Sequence, residues 1–364
     1  MIHAMLVGFL LDGRHSGIDK YLLGFCDAAK EAGTRLDFLT QKIDPELKER
    51  LAFYGFGLIA VPSLKHPVKQ YRAIKSVLRQ GGYDGAYLNL SESFNCALLA
   101  AAKACGIPCR IAHSHSGGVD RMSAKSRAIR GFLHKLFRPY LSRIATRRLA
   151  CSSVAGKWMF TRDFEIVNNA VDGARFAYDG AAREKIRREL DLGDCPVFLH
   201  VGNFDYAKNQ SFLLDVMKED VVRGSGARLL LAGDGETAPS LKERAAAMGL
   251  ADRVTFLGVR SDVPDLYSAA DVFLFPSRIE GFGIACAEAQ FSGLPCVVSD
   301  AVPREVQMSG KVRFLKTDDP ARWAEAALAS LGERRGADLP PESARYDAKN
   351  NRRQLLSILK GEAL

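Results

Sequence analysis

Two glutamates, Glu280 and Glu288, enclose the run Gly281-Phe282-Gly283. Glycines at the start of a helix let backbone N–H groups approach a ligand closely, and the positive end of the helix dipole favours an anion there, most often a phosphate. A carboxylate on an otherwise apolar helix face needs hydrogen-bond donors, because burial without them costs several kcal/mol or drives its pKa up until it is neutral. Sugar hydroxyls supply such donors, although two carboxylates at this spacing also occur in ordinary solvated loops and helices. Lys208, just before Asn209, is placed where an ammonium can meet a phosphate held by a helix terminus. His113 and His115 alternate in His113-Ser114-His115-Ser116-Gly117-Gly118. Two histidines with no carboxylate or cysteine at ligand spacing are too few for a metal centre, so the pair reads as a substrate contact or as structure, with either ring able to face the ligand.

These residues need elements to hold them. Asp271 to Phe275 is an apolar run ending at Pro276, the form of a buried parallel strand whose carboxyl end enters a loop. Ile284, Ala287, Glu288 and Phe291 then keep helical time until Gly293 and Pro295, and Cys296 to Ser299 predicts the next strand. Strands are also predicted at Val197 to Gly202, with a helix from about Asn209, and at Arg228 to Ala232 and Val254 to Leu257. In the first half, Ala4 to Leu11, Leu36 to Leu39, Leu58 to Val61, Gly85 to Leu88 and Cys109 to Ala112 alternate with amphipathic stretches, which predicts a parallel sheet with helices between its strands. Ligands of such sheets bind beyond the carboxyl ends of the strands. After the first strand, Asp12 to Lys20 leads into a helix near Asp19, where Gly17 either helps to hold an anion or only makes a turn. Arg345 to Lys360 predicts a last helix.

The Glu280-x7-Glu288 spacing with its glycines resembles the nucleotide-sugar site of the retaining GT-B glycosyltransferases of the family-four type, enzymes of bacterial polysaccharide synthesis. Val201-Gly202-Asn203 with Lys208 resembles that family's Val-Gly-Arg...Lys motif, Ser16-Gly17-Ile18-Asp19 its Gly-Gly-x-Glu loop, and Asn169-Ala170-Val171-Asp172 with Phe176 its interdomain crossing. The resemblance implies an α/β chain of two Rossmann-like, doubly wound domains facing a central cleft: an acceptor-binding domain over 1–168, a nucleotide-sugar domain over 169–344, and a helix over 345–364 crossing back to the first. It implies a nucleotide diphosphate sugar as donor substrate, with no cofactor and no metal. Glu280 would hold the donor sugar, Glu288 the ribose diol, and Lys208 with Gly281, Phe282 and Gly283 the diphosphate. Gly17 would add a phosphate contact, Arg260 stands in the loop that holds the base, and His113 or His115 lies near the sugar. Asn203 replaces the family's Arg, so either another cation compensates or donor binding is weakened. The expected reaction is transfer of a sugar, with retention, to a saccharide or lipid-linked saccharide. The alternatives are a sugar-nucleotide epimerase on the same fold and a basic nucleic-acid-binding protein.

At 364 residues the chain has room for two domains, and a hydrophobic content of 47% lets both bury a core. No apolar run approaches the roughly 20 residues that span a bilayer, and Ala4 to Leu11 lacks the preceding basic residues of a signal peptide, so the expected location is cytoplasmic. The eight cysteines show no C-x-x-C spacing and read as reduced thiols. The net charge of +9 is uneven, about +12 within residues 1–168 and about −3 in the rest. Arg121 to Arg148 holds nine basic residues and no acidic one, while Ile129, Phe132, Leu133, Leu136, Phe137, Tyr140, Leu141 and Ile144 repeat at helical spacing, with Pro139 opening a second segment. Such a basic amphipathic stretch suits an anionic membrane surface on the inner face of the cytoplasmic membrane, or it packs on the sheet with its charges solvated. No recognised nucleic-acid module accompanies it, so no nucleic-acid partner is expected.

Overall fold

The computed structural model describes residues 1–8, 17–120, 123–333 and 339–362. Contacts divide the chain into two compact units, one of Met1–Val119, Lys125–Ala170 and Ala348–Leu364, the other of Asp120–Ala124 and Val171–Asp347.

The first unit runs β1 (Ala4–Gly8), α1 (Gly17–Ala32), β2 (Arg35–Thr40), α2 (Pro45–Phe53), β3 (Gly57–Ala60), α3 (Pro67–Gln80), β4 (Gly85–Leu90), α4 (Ala97–Ala104), β5 (Cys109–Ser114), α5 (Ala124–Ile144), β6 (Arg147–Ala150), α6 (Ser153–Met159) and β7 (Glu165–Ile166). All seven strands are parallel, in the order β3-β2-β1-β4-β5-β6-β7. Such a sheet must be covered on both faces, and its central strands β1 and β4 are buried along their whole length. Tyr21, Phe25, Leu47 and Leu51 of α1 and α2 cover one face. Ile74, Leu78, Leu98, Leu99, Leu141, Ile144 and Met159, from α3 to α6, cover the other.

The second unit runs α7 (Gly180–Glu189), β8 (Val197–Val201), α8 (Gln210–Lys218), α9 (Asp220–Gly224), β9 (Arg228–Ala232), α10 (Ala238–Ala247), β10 (Val254–Gly258), α11 (Val263–Ala269), β11 (Val272–Phe275), α12 (Ile284–Phe291), β12 (Cys296–Ser299), β13 (Val312–Leu315) and α13 (Pro320–Ala329). Its six strands are parallel in the order β10-β9-β8-β11-β12-β13. The strand order reverses between β8 and β11, the switch point at which the loops leaving two neighbouring strands part and open a crevice. Trp323, Phe212, Phe198 and Leu274 lie at the centre of its core.

The last helix, α14, spans Ala348–Lys360 and belongs to the first unit, where Leu355, Ile358 and Leu359 pack beside Tyr21 and Phe25. Ile2 N–H donates to the Leu359 carbonyl at 2.9 Å, and Asn351 Nδ2 donates to the Asn168 carbonyl at 2.6 Å. The helix begins at residue 348 rather than 345, because Arg345 sits in a 3-10 turn over Pro341–Tyr346.

Other expectations are corrected. Pro139 does not open a second helix: α5 is continuous from Ala124 to Ile144 with the proline inside it. Arg147 and Arg148 are not on that helix but begin β6, where Arg147 pairs with Glu165 at 2.7 Å. The apolar set along α5 splits in two. Leu141 and Ile144 are buried, while Ile129, Phe132, Leu136 and Tyr140 are 52%, 68%, 61% and 45% exposed. Arg121, the segment 12–16 and the end of the first predicted strand, 9–11, lie outside the described residues. The eight cysteines form no disulfide among the described residues, and five of them are buried. No described helix is long and apolar enough to cross a membrane.

Candidate functional site

Lys208 lies on the loop between β8 and α8, and Glu280 on the loop between β11 and α12. Because β8 and β11 are neighbours, the two loops meet, and Lys208 Nζ donates to Glu280 Oε1 at 2.5 Å. The ammonium also lies 5.0 Å from the centre of the Phe275 ring. The lysine loop is held by its own backbone: Lys208 N–H donates to Asp205 Oδ1 at 2.9 Å, and Ala207 N–H to Asp120 Oδ1 at 3.2 Å. Burial, and then the Asp120 carboxylate, push the Asp205 carboxyl up to about 6. Arg278 ties the two loops together, its N–H donating to the Ala207 carbonyl at 2.7 Å and its guanidinium to the Tyr206 carbonyl at 3.0 Å while lying over the Tyr206 ring.

Close backbone approach shapes this end of the sheet. A Cβ on Gly233 would lie 2.0 Å from the Gly202 carbonyl oxygen, and one on Gly235 would lie 2.3 Å from that of Phe204. Gly283, the N-cap of α12, has φ +96°, and a Cβ there would meet Phe275 and Val302 at 3.2 Å. Only glycine takes this turn without strain, and the turn starts α12 so that its first N–H groups face out of the sheet's carboxyl end. Phe282 is buried with its ring 5.0 Å from that of Tyr346, so only its backbone is available to a ligand.

Glu288 is one turn further into α12 and 3% exposed. The protein meets it with a donor of its own: Tyr267 Oη lies 3.1 Å from Glu288 Oε2 and 2.9 Å from the Ala285 carbonyl. Burial and then the Glu288 charge hold the Tyr267 phenol well above its ordinary pKa, so that it stays a donor. On the loop after β11, the Ser277 hydroxyl is fully buried with no partner among the described residues.

Asn203 is exposed and its carbonyl accepts from Gln210 Nε2 at 2.7 Å. His200 explains that arrangement. Its Nδ1–H donates to the Leu274 carbonyl at 2.9 Å, so Nε2 accepts from Gln210 Nε2 at 3.3 Å, and burial lowers its pKa to about 4. Arg260 is occupied by Asp262 at 2.6 Å and Glu189 at 3.1 Å, which leaves chiefly backbone in the Gly258–Arg260 loop, beside a Val259 that is 70% exposed.

In the first unit, His113 and His115 come together at the carboxyl end of β5 with ring centres 4.0 Å apart. His113 is fully buried, its Nδ1 2.6 Å from Tyr87 Oη, which lies 2.7 Å from Tyr21 Oη. His115 keeps partial exposure, and its Nε2 lies 2.9 Å from Asn89 Oδ1. Desolvation holds His115 down to about 3 and His113 well below the usual range, so both rings are neutral. Of the pair, only His115 has surface to offer a ligand. Gly17 is the first residue of α1.

The unit with β8 to β13 therefore offers a cation, two carboxylates and a glycine-opened helix start off neighbouring strands, a layout suited to a phosphorylated, hydroxyl-rich ligand. Residues 195–333 match the family described as "Glycosyl transferases group 1". A protein of Bacillus subtilis (strain 168) assigned as the glycosyltransferase EpsF is 30% identical over 366 residues, covering 94% of this chain and 92% of that one. The chain belongs to this glycosyltransferase family. The UDP-Gal:alpha-D-GlcNAc-diphosphoundecaprenol alpha-1,3-galactosyltransferase of Escherichia coli is 28% identical over 285 residues, 74% of this chain and 70% of that one. In fold, this glycosyltransferase is similar to HepE of Anabaena, solved in complex with UDP-glucose, with a TM-score of 0.75 at 18% identity over 99% of this chain and all of that one. It is a GT-B enzyme that moves a sugar from a nucleotide diphosphate sugar to an acceptor. Among the described residues no group of three His, Cys, Asp or Glu side chains is placed to hold a metal ion.

Sequence reasoning missed Tyr267 and Asp205. Tyr267 lies in α11, outside any motif, and reaches Glu288 only through packing of α11 against α12. Asp205 was visible three residues before Lys208, the spacing at which an Asp side chain accepts from a backbone N–H.

Proposed function

We propose that the enzyme transfers a hexose with retention and without a metal, to a lipid-linked saccharide in cell-surface polysaccharide or glycolipid synthesis. The donor occupies the carboxyl end of β8 and β11, and the acceptor is taken up by the first unit. The observation that carries this reading is the meeting of Lys208 and Glu280 beside the Gly283 turn, with Glu288 buried in the helix that the turn opens.

In this reading the diphosphate lies on the first N–H groups of α12, with the Lys208 ammonium shared between a phosphate oxygen and Glu280. As the anomeric C–O bond breaks, its electron pair goes to the diphosphate, and fixed positive groups stabilise that charge without reorganisation. The acceptor hydroxyl attacks on the face that the diphosphate leaves, which gives retention, and its proton goes to the departing phosphate oxygen. Glu280 accepts from donor-sugar hydroxyls. Glu288 accepts from the ribose diol with the oxygen opposite the one facing Tyr267. Of the histidine pair, His115 meets the sugar, as a neutral hydrogen-bonding ring, and His113 supports it from below. Arg278 is the cation beside Lys208 that takes the part of the arginine absent at position 203. The membrane contact is α5, through its exposed apolar stripe and basic residues.

The relatives support this reading. The E. coli relative acts, by its name, on a diphosphoundecaprenol-linked sugar. Thermal stabilisation by a panel of nucleotide sugars identifies the donor, since a ligand at a hundred times its Kd adds about 2.7 kcal/mol. The anomeric configuration of the product by NMR then tests retention. An inverted product contradicts it.

A further inference from the structure

α5 is not the only basic helix of the first unit with an apolar and cationic outer face. From Pro62 to Tyr83 the sequence carries five basic residues, Lys65, Lys69, Arg72, Lys75 and Arg79, and no acidic one. α3 occupies most of that stretch. Its inner face is Gln70, Ile74 and Leu78, all buried. Its outer face near the start carries exposed Val68, Lys69 and Arg72, and exposed Leu64 and Lys65 lie in the turn just before it. Val68 is 61% exposed and Leu64 41% exposed, apolar groups set among cations.

This face lies on the same side of the sheet as α5. Tyr71 of α3 and Phe137 of α5 pack against one shared core, with the mostly buried α4 contributing Leu98 and Leu99 between them in the chain. The start of α5 passes over the β4–α4 loop, where Arg130 pairs with Glu92 and Ser93 N–H donates to His134 Nδ1 at 3.0 Å. That pairing removes Glu92, the one acidic residue of the loop, from the surface balance. What remains outward on both helices includes cations and single apolar side chains and no acidic residue.

We infer that the outer face of α3, with Leu64, Lys65, Val68, Lys69 and Arg72, is a second contact for an anionic lipid bilayer, engaged together with the stripe on α5. The inference rests on the membrane reading of α5 given above and extends it to a second helix. Charge complementarity selects the occupant. A protein partner's surface mixes signs, whereas both helices present one sign interleaved with single apolar side chains, which suits headgroups above an acyl boundary. Two helices that share a core and both touch the bilayer fix the orientation of the unit on it; one helix alone leaves rotation about its axis free.

The test is co-sedimentation of the full chain with vesicles of phosphatidylglycerol and phosphatidylcholine, against pure phosphatidylcholine. Wild type partitions to the anionic vesicles and is released by high salt. A basic residue near such a surface contributes roughly 1 kcal/mol, or about fivefold, so K65E/K69E/R72E lowers the partition coefficient by at least about tenfold. Circular dichroism and the Tm confirm that the variant is folded. In a second measurement Val68→Trp shows a blue-shifted indole emission with anionic vesicles, quenched by brominated lipid. If Phe132→Ser with Leu136→Ser abolishes binding while the charge-reversed α3 variant binds like wild type and the Val68→Trp emission stays unquenched, the α3 contact is wrong and the α5 reading stands. Wild type that ignores anionic lipid sinks both. Duplex DNA that binds tightly at physiological salt and displaces the vesicles also overturns the lipid assignment.

Discussion

The carboxyl ends of the two sheets carry opposite kinds of polar group. In the second unit they are charged groups with partners: Lys208 pairs with Glu280, Glu288 faces Tyr267, and Asp205 accepts from the Lys208 N–H. In the first, beside the Arg130–Glu92 pair of the β4–α4 loop, His113, His115, Tyr21, Tyr87 and Asn89 form chains of neutral hydrogen bonds, and burial keeps both rings unprotonated. The charge of the first unit sits instead on the outside, along α3 and α5. A diphosphate needs fixed charge at the atom that leaves, while a saccharide hydroxyl can also be met by neutral hydrogen-bonding groups, without the desolvation cost of a charge. Under the proposed function, the contrast matches a donor diphosphate in the second unit and a saccharide hydroxyl met in the first.

The largest effect expected is at Lys208. Lys208→Met lowers kcat roughly 10²- to 10³-fold, as for loss of one preorganised group at a developing anion, measured by initial rates at saturating donor. Glu280→Ala also acts mainly on kcat, whereas Glu288→Ala acts mainly on donor KM, because one carboxylate meets the reacting sugar and the other the ribose. Small and equal effects from both glutamates break the assignment.

Acid should separate the two regions with opposite signs. Asp205 titrates near 6 in the fold and near 4 when unfolded, so stability associated with its protonated form is full below about pH 4 and lost as pH rises through about 6. Asp205→Asn is therefore more stable than wild type at pH 7, by up to about 3 kcal/mol, and the gap closes toward pH 4. The histidines act the other way. Their folded pKa values lie below the unfolded value of about 6.5, so the stability of the neutral rings is present above that pH and lost as pH falls below it, for His115 toward about 3. Each contributes up to about 1.4 kcal/mol per pH unit to the decline, and a His113→Asn, His115→Asn variant flattens the acid limb in a urea-midpoint series. An unchanged slope contradicts the buried neutral pair. The smallest effect is expected from EDTA, which leaves activity largely intact if Lys208 and the α12 N–H groups meet the diphosphate; full loss restored by Mn²⁺ contradicts it.

Much of this was legible in the chain itself because the devices are local. The apolar run Val272 to Phe275, the glycine at 283 and the period of α12 are each fixed by neighbours within a few residues, and the structure keeps all three. The pairing of Lys208 with Glu280 depends on which strands adjoin, a property of the sheet order that no local pattern encodes. Arg260 shows the same limit, since its partner Glu189 comes from α7. Along α5, helical spacing marked eight apolar positions, but a period cannot tell which of them meets the sheet; only Leu141 and Ile144 are buried there, and Pro139 stays inside the helix.

Donor binding by the second unit underlies every role given to Lys208, Glu280 and Glu288. Isothermal titration of the wild-type chain with the nucleotide sugar that stabilises it best, repeated in Glu288→Ala and Lys208→Met, reads that binding without requiring an acceptor. Saturable 1:1 binding that weakens at least about tenfold in both variants, with Tm unchanged in the absence of ligand, is the predicted result, about 1.4 kcal/mol being a factor of ten. Wild-type affinity in both variants would place the donor elsewhere and contradict these assignments.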